Sequence, residues 1–571
     1  MRQTKWTYLT VDSTTSTSFE IVGNTSAGVI ADSWGSGNSL WAAVISLEVG
    51  MHDNAAEASF QCGLITDPTG TPTFYPQTPT FDHRPPSDNS YTTASPTNDT
   101  GRWRSYVRMF RFAADPFGND TDNNNFGVGV QFKTSNSADL AYVRDLNIVC
   151  FKLGPNDIWL SESSVFGVSS TGSGIDVYGD SYTLYPNQSP YSLNPGAYLA
   201  FAECTRTHTN NNRSACRVRF RPAGSDTGAV VLGHGEDTFQ TNSLTIGQNG
   251  MGFVNLDDSD DEIVFEIGND NAGGTVTLET AAALLIDIGR PQDLSASVID
   301  VQSYSTGLSI MVGGTYTRVY LPSDHPFEQG DFFYLNPGVS GTASEALNRE
   351  ALIGVFQVQG TAVQGGTYHF IEFNTPAGTG YTGQLLNIFN ATDAIVRTIR
   401  PLVETREDTL TTNSQSFVSY DTLDWNDDSL DNFFWLLGYT ATSSFAGTGG
   451  SGGTRIVLRN TPSGGSVDQL CNAAGVITNT SNQQLTSTGF TFRYGGSVSN
   501  TLEIGVESYN TGQASIHDSS IFAIPFFFPG NTVLKYDGSD WNVTGVLKHS
   551  TDWETYEWAK VYVHDGTDWG N

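Results

Sequence analysis

One phrase occurs three times in this chain and constrains its fold more than any other feature. It is a strand, a polar turn region and then a second, very apolar strand. FGVGVQF (Phe126–Phe132) leads to LNIVCFKLG (Leu146–Gly154), and IVFEIG (Ile263–Gly268) leads to LLIDIG (Leu284–Gly289). TLEIGVESYNTGQASIHDSSIFAIPFFF (Thr501–Phe528) holds the third copy. Counted from Phe126, Ile263 and Leu502, the second strand begins at Leu146, Leu284 and Ile521, at nearly the same distance each time. A spacing this regular predicts one β module used three times.

Composition supports an all-β reading. The chain of 571 residues is long enough for roughly three to five domains. Aromatic residues make up 12% and charged residues only 15%, with 60 glycines. Short strands joined by turns are therefore favoured over helices. A hydrophobic fraction of 38% is enough to build cores and argues against disorder. The net charge of −33 disfavours nucleic acid and anionic membranes as partners, because phosphate recognition needs a basic face. The longest apolar runs, near Ile521–Phe528 and Ala281–Ile286, are far too short for a membrane span. The N-terminus has no signal-peptide apolar core, which predicts synthesis in a cytoplasm without conventional export. Cys62, Cys150, Cys204, Cys216 and Cys471 are odd in number and scattered, so buried thiols are expected. A cross-strand Cys204–Cys216 pair is the alternative.

The expected architecture is tandem jelly-roll or β-sandwich modules, one small β-barrel-like domain and a short C-terminal β-hairpin region. The first module spans residues 1–155, with SLWAAVISLEVG (Ser39–Gly50) as a core strand and a long Pro- and Thr-rich loop at Thr66–Ser90. The second, 156–290, repeats the plan. AYLAFAECTRTH (Ala197–His208) stands for SLWAAVISLEVG, and RSACRVRFRP (Arg213–Pro222) stands for WRSYVRMFRF (Trp103–Phe112). Residues 291–405 differ and read as the barrel. Residues 406–530 return to the first plan. The tail, 531–571, repeats LKYDGSDW as VYVHDGTDW, and Asp-Gly between apolar residues signals a hairpin turn.

Candidate sites are of three kinds. Acidic loops offer oxygen ligands for calcium at Asp120, Asp122, Asp257, Asp258, Asp260, Asp427 and Asp428. None has EF-hand spacing, and solvated turns are the commoner explanation. Tyr75, Tyr182, Tyr185 and Tyr191 lie in Pro-rich polar surroundings suited to stacking on a glycan, or to anchoring their own loops. Arg217, Arg219 and Arg221 share one strand face, as do Arg104 and Arg108, for an anionic partner or for pairing with neighbouring acids. The single G-x-S-x-G match, GGSGG (Gly449–Gly453), precedes a strand where a nucleophile elbow needs a helix. No catalysis is expected.

The KYDGSDW and VYVHDGTDW units, the GDFFYLNPG…ALIGVFQVQG…GTYHFIEF region and the thrice-used module together resemble structural proteins of tailed bacteriophages. The resemblance implies a virion protein on the particle surface, tail- or baseplate-associated, with a host-binding role. A capsid decoration protein or head fibre is the nearest alternative. A glycan-active enzyme or bacterial adhesin is the alternative of another class. The resemblance also implies other virion proteins and copies of itself as partners, a trimer being favoured, with a host cell-surface glycan as ligand.

Overall fold

The computed structural model describes residues 4–526 apart from several stretches, the longest being 84–102, 169–182, 289–302, 338–351, 426–433 and 475–483, and beyond them four short strands between 533 and 570. Its secondary-structure elements are all β-strands, β1 to β42. Two compact units emerge. One joins Thr4–Asp287 to Leu402–Ile524, and the other joins Ile288–Pro401 to Met1–Gln3 and Pro525–Asn571.

The first segment of the larger unit holds β1 (Thr4–Thr14), β2 (Glu20–Ile21), β3 (Ile30–Ser33), β4 (Leu40–Met51), β5 (Ala58–Thr66), β6 (Thr73–Pro76), β7 (Phe81–His83), β8 (Trp103–Ala113), β9 (Asn125–Thr134) and β10 (Ala141–Lys152). One sheet runs β1-β10-β4-β8. The facing sheet runs β2-β9-β5-β6, with β3 also on β9 and β7 also on β5. All pairings are antiparallel. Two four-place sheets wound in this order are a jelly roll.

The second segment holds β11 (Ile158–Glu162), β12 (Phe166–Val168), β13 (Thr183–Leu184), β14 (Tyr191–Ser192), β15 (Gly196–His208), β16 (Arg213–Pro222), β17 (Val230–Thr238), β18 (Ile246–Leu256), β19 (Asp261–Asn269) and β20 (Val276–Asp287). The order is the same: β11-β20-β15-β18, with β12 also on β20, faces β13-β19-β16-β17, with β14 also on β19.

In the smaller unit, β21 (Ser303–Tyr304), β22 (Leu308–Val312), β23 (Tyr316–Leu321), β24 (Phe332–Asn336), β25 (Gly354–Gln357), β26 (Gly360–Gln364), β27 (Tyr368–Asn374), β28 (Leu386–Ala391) and β29 (Ile395–Ile399) form sheets β21-β29-β24-β25 and β26-β27-β23-β22-β28. They share one core that includes Ile310, Val319, Phe333, Phe356, Ile371 and Phe373.

The third jelly roll is β30 (Leu402–Arg406), β31 (Leu410–Thr412), β32 (Val418–Trp425), β33 (Phe434–Ala446), β34 (Gly453–Pro462), β35 (Asp468–Ala474), β36 (Gln484–Tyr494), β37 (Asn500–Tyr509) and β38 (Gln513–Phe526). Its sheets are β30-β38-β33-β36, with β31 also on β38, and β32-β37-β34-β35. In the tail, β39 (Val533–Tyr536) pairs with β40 (Trp541–Thr544), and β41 (Val563–His564) pairs with β42 (Trp569–Gly570). The two Asp-Gly repeats thus close alike, Tyr536 opposite Trp541 and His564 opposite Trp569.

The thrice-used phrase is the same pair of strands in each roll: β9 and β10, β19 and β20, β37 and β38. The first of each pair is second in one sheet, and the next is second in the facing sheet, so the phrase crosses the sandwich. β4 and β15 likewise occupy one place, as their sequences predict. Arg213–Pro222 does not stand for Trp103–Phe112. β16 is third in its sheet, the place of β5, whereas β8 is an edge strand matched by β18 and β36. Alternating Arg and apolar residues report a half-buried strand, not its place in the sheet. Cys204 and Cys216 sit on β15 and β16, in opposite sheets, so they are not ladder neighbours. Cys62, Cys150 and Cys204 are buried.

The three rolls close on one another. β7 of the first lies against β18 of the second, β17 of the second against β36 of the third, and β35 of the third against β8 of the first. The edge strands β8, β18 and β36 also touch each other. At one seam a ladder contact between Gly235 and Leu485 makes the sheets continuous, giving a ten-stranded sheet. Repeated head-to-tail contact that closes after three units is a heterologous ring, here built within one chain.

Ring closure explains the most apolar strands. On β4, Trp41, Ala43, Ile45, Leu47 and Val49 face the core of the first roll. The intervening Ala42, Val44, Ser46 and Glu48 are buried too. In the second roll Leu199, Phe201, Leu284 and Ile286 are buried on the face turned away from their own core. A strand covered on both faces reads as a near-continuous apolar run. Burying each such large apolar side chain contributes about 1.5–3 kcal/mol.

Candidate functional site

A cluster of ionisable groups around the buried Glu48 lies on the first roll, where the third packs against it. Glu48 sits opposite Arg144 across the β4–β10 ladder. Past Arg144 the register slips to Asn147 opposite Ser46, which is a β-bulge. Inside the bulge Asp145 adopts φ 48°, a left-handed conformation that aspartate tolerates better than most residues. The Tyr8 hydroxyl donates to Asp145 Oδ1 at 3.0 Å, and Asn147 Nδ2 donates to the Asp145 carbonyl at 3.1 Å. Arg144 Nε donates to Glu48 Oε2 at 2.5 Å, and Ser105 Oγ to Glu48 Oε1 at 3.3 Å. From the third roll, Thr491 Oγ1 donates to Asn147 Oδ1 at 3.4 Å, and Trp6 Nε1 of the first roll donates to the same oxygen at 3.3 Å. The backbone N–H of Phe490 donates to Ser46 Oγ at 3.3 Å, and the Trp6 and Phe492 rings lie 5.3 Å apart.

Electrostatics at this seam are set by desolvation. Burial pushes the Glu48 carboxyl up from 4.5 to about 7, outweighing the Arg144 guanidinium beside it. The charge of Asp145 pushes the same way, and that of Arg455 opposes it. Burial raises Asp145 as well, against Arg144, the Tyr8 hydrogen bond and Arg493. Tyr8 is raised by burial and then by Asp145. The cluster therefore takes up a proton near neutrality at a contact between two rolls. Sequence reasoning missed it. Its one signal is Glu48, a lone charge inside the apolar run AAVISLEV.

The arginine rows resolve into internal pairs. On the face of the second sheet turned from the core, equivalent strands carry matching cross-strand contacts in all three rolls. These are Gln131 Nε2 to Gln61 Oε1 at 2.7 Å, Arg219 with Glu266 at 2.6 Å, Arg221 with Glu262 at 2.7 Å, Arg455 with Glu507 at 2.9 Å and Arg459 with Glu503 at 2.7 Å. Arg108 pairs with Glu203 of the second roll. The side chains of Arg104 and Arg217 lie outside the described residues.

So do the calcium candidates Asp120, Asp122, Asp257, Asp258, Asp260, Asp427 and Asp428, and the tyrosines Tyr182 and Tyr185. Tyr191 is in β14, with its side chain also outside the description. Among the described residues no cluster of His, Cys, Asp and Glu is arranged to hold a metal. Tyr75 is on β6, exposed, with its ring 5.1 Å from that of Phe117. Ser444 Oγ and His517 Nε2 form a Ser–His contact at 2.7 Å. The other ring nitrogen meets the Thr409 hydroxyl at 3.2 Å, where a catalytic triad places a carboxylate. The G-x-S-x-G stretch leads directly into β34, a strand, as its sequence predicts.

No protein-family model and no curated protein matches the sequence. Among the solved structures that align with it loosely are the following. The infectious bursal disease virus VP2 subviral particle aligns at 11% identity over 60% of this chain and 76% of the other, TM-score 0.17. A structure showing the triple jelly roll fold and turret assembly in an archaeal virus aligns at 10% identity over 90% and 91%, TM-score 0.14. Dimeric latent PorU from Porphyromonas gingivalis aligns at 11% identity over 65% and 32%, TM-score 0.17. TM-scores this low carry no assignment, and the jelly-roll description above rests on strand order alone.

Proposed function

We propose that this chain is a structural protein of a virus particle, displayed at the particle surface and working through contact between surfaces without bond-making chemistry. The observation that carries the reading is the ring: three jelly rolls of one strand order, closed head-to-tail inside a single polypeptide, with their first-sheet faces buried against one another. Such a ring is a rigid block whose seams need no second chain. On the second sheets of the second and third rolls the charges are matched across strands, Arg219 with Glu266 and Arg459 with Glu503 among them. The net charge of −33 keeps such a block soluble and resists nonspecific association.

The finer reading is a tail- or baseplate-associated protein of a tailed bacteriophage that also meets the host surface. The resemblance of the C-terminal Asp-Gly hairpins supports it. A decoration protein or head fibre uses the same block at a different address. Copies of the chain are the expected partners together with other virion proteins. Because the ring already supplies a threefold-like arrangement, one chain can occupy a place that three single-roll chains would otherwise fill.

Electron microscopy of purified particles labelled with an antibody to this chain tests the reading. Label on particles supports it, and its position separates tail from head. Particles that carry no label and contain none of the chain overturn it.

A further inference from the structure

We infer that the smaller unit carries a binding face for a neutral saccharide on the outer side of its five-stranded sheet. The face is built by β23, β27 and β26. On β23, Thr317, Val319 and Leu321 are buried, so Tyr316, Arg318 and Tyr320 point outward. Opposite them on β27 stand Asn374, Glu372 and Phe370, with Tyr368 beyond. Gln364 of β26 is the neighbour of Tyr368. Tyr368 is 64% exposed and Tyr316 44%, in contrast to the aromatic rings of this unit that pack into its core.

The arrangement is held in place. The Tyr320 ring lies 6.3 Å from Tyr368 at 88° and 5.6 Å from Phe370. Its hydroxyl donates to Gln364 Oε1 at 2.7 Å and lies 3.0 Å from Met311 Sδ. Arg318 covers the Phe370 ring at 4.5 Å while its Nε donates to Glu372 Oε2 at 2.7 Å. An open ring face on Tyr368, a perpendicular wall at Tyr320 and a rim of guanidinium, carboxylate and amide groups together suit a pyranose. The sugar's C–H face stacks on the open ring, and its hydroxyls meet the rim. Sites carried on strands are also more precise than sites on loops.

Charge selects the class of ligand. The cation on this face, Arg318, is already matched by Glu372. A sulfated or uronic polymer finds no unmatched cation among the described side chains that build this face, whereas a neutral hydroxyl-rich one needs none. The inference deepens the particle-surface reading above, on which it rests, by naming what such a surface would hold.

The test is titration of the full chain with a panel of neutral hexasaccharides derived from glucan, mannan and galactan, read by calorimetry and by saturation-transfer NMR. At least one binds. Tyr368→Ala weakens it by about 10-fold, the loss of one stacked ring, and Tyr368→Phe keeps it. Both variants retain the wild-type melting curve, because the ring is exposed. Failure of every neutral hexasaccharide to bind, preference for heparin, binding indifferent to Tyr368→Ala, or self-association of the chain abolished by Tyr368→Ala each overturns the inference. None of these outcomes changes whether particles carry the chain, so the two readings fail separately.

Discussion

Arg108 of the first jelly roll and Glu203 of the second meet at 2.9 Å with the guanidinium wholly excluded from solvent. Arg108 Nη1 and Nη2 reach the Pro79 carbonyl at 3.4 Å, and the guanidinium lies 3.2 Å from the centre of the Phe81 ring. The backbone N–H of Met109 donates to the same carboxylate at 3.3 Å. Arg108 leaves the apolar face of an edge strand and Glu203 leaves the apolar outer face of β15. Each charge is acceptable in its place only because the other roll supplies its partner.

Removing one partner should therefore destabilise more than removing both. Arg108→Ala strands the Glu203 carboxylate and is expected to cost about 3–5 kcal/mol in urea unfolding. Arg108→Met combined with Glu203→Leu should cost less than either single truncation. Single variants as stable as the wild type would mean that the seam is open in solution.

Glu48 predicts a pH dependence. Its carboxyl titrates at about 7 in the fold and at 4.5 in the free chain. Between those values the native state holds a proton that the unfolded chain has released, so stability falls as pH rises through this window. The contribution is on the order of 3 kcal/mol, most of it gone above the upper value. Asp145, raised as well, adds to the same trend. Glu48→Gln should flatten the stability curve from about pH 5 to 8. A variant curve as steep as the wild type assigns the slope to other groups.

The repeated module is legible in the sequence, and the assembly of the modules is not. The Phe126/Leu146, Ile263/Leu284 and Leu502/Ile521 spacings are nearly constant because each pair spans the same sandwich by the same route. Arg213–Pro222 takes a different place from Trp103–Phe112 because alternation records only which side of a strand is buried. The seams leave no local trace because a strand's outer face does not name what covers it. Val44 beside Trp41, or Phe201 beside Tyr198, says only that both faces are covered. The acidic stretches around Asp120, Asp257 and Asp427 match no metal-binding spacing in the sequence and lie outside the described residues.

Gly438 on β33 tests the packing between the second and third rolls. A Cβ placed there meets the ring of Phe522 and the Gly489 carbonyl. The Phe522 ring cannot retreat easily, since it packs at 5.2 Å against Phe253 of the second roll. Gly438→Ala should cost about 1–3 kcal/mol, as overpacking does. Adding Phe522→Leu should recover part of the loss in the same thermal melt. No change from Gly438→Ala would show that this contact is loose.

The ring also predicts how the rolls unfold. Independent rolls would expose nothing new when a neighbour melts, and each would show its own transition. Here the melting of one roll uncovers apolar outer faces on both others. Loss of the first roll leaves Glu203 without Arg108, and loss of the second strips Met251, whose carbonyl accepts from Thr440 of the third. Phe490 of the third roll touches both neighbours, its ring near that of Phe201 and its N–H donating to Ser46. The three rolls should therefore unfold in one calorimetric transition whose van't Hoff and calorimetric enthalpies agree. Arg108→Ala, placed in the first roll, should lower hydrogen-exchange protection in β33 and β38 of the third roll along with its own. Protection lost only within the first roll, or three resolved transitions, would mean the rolls are strung together without closing.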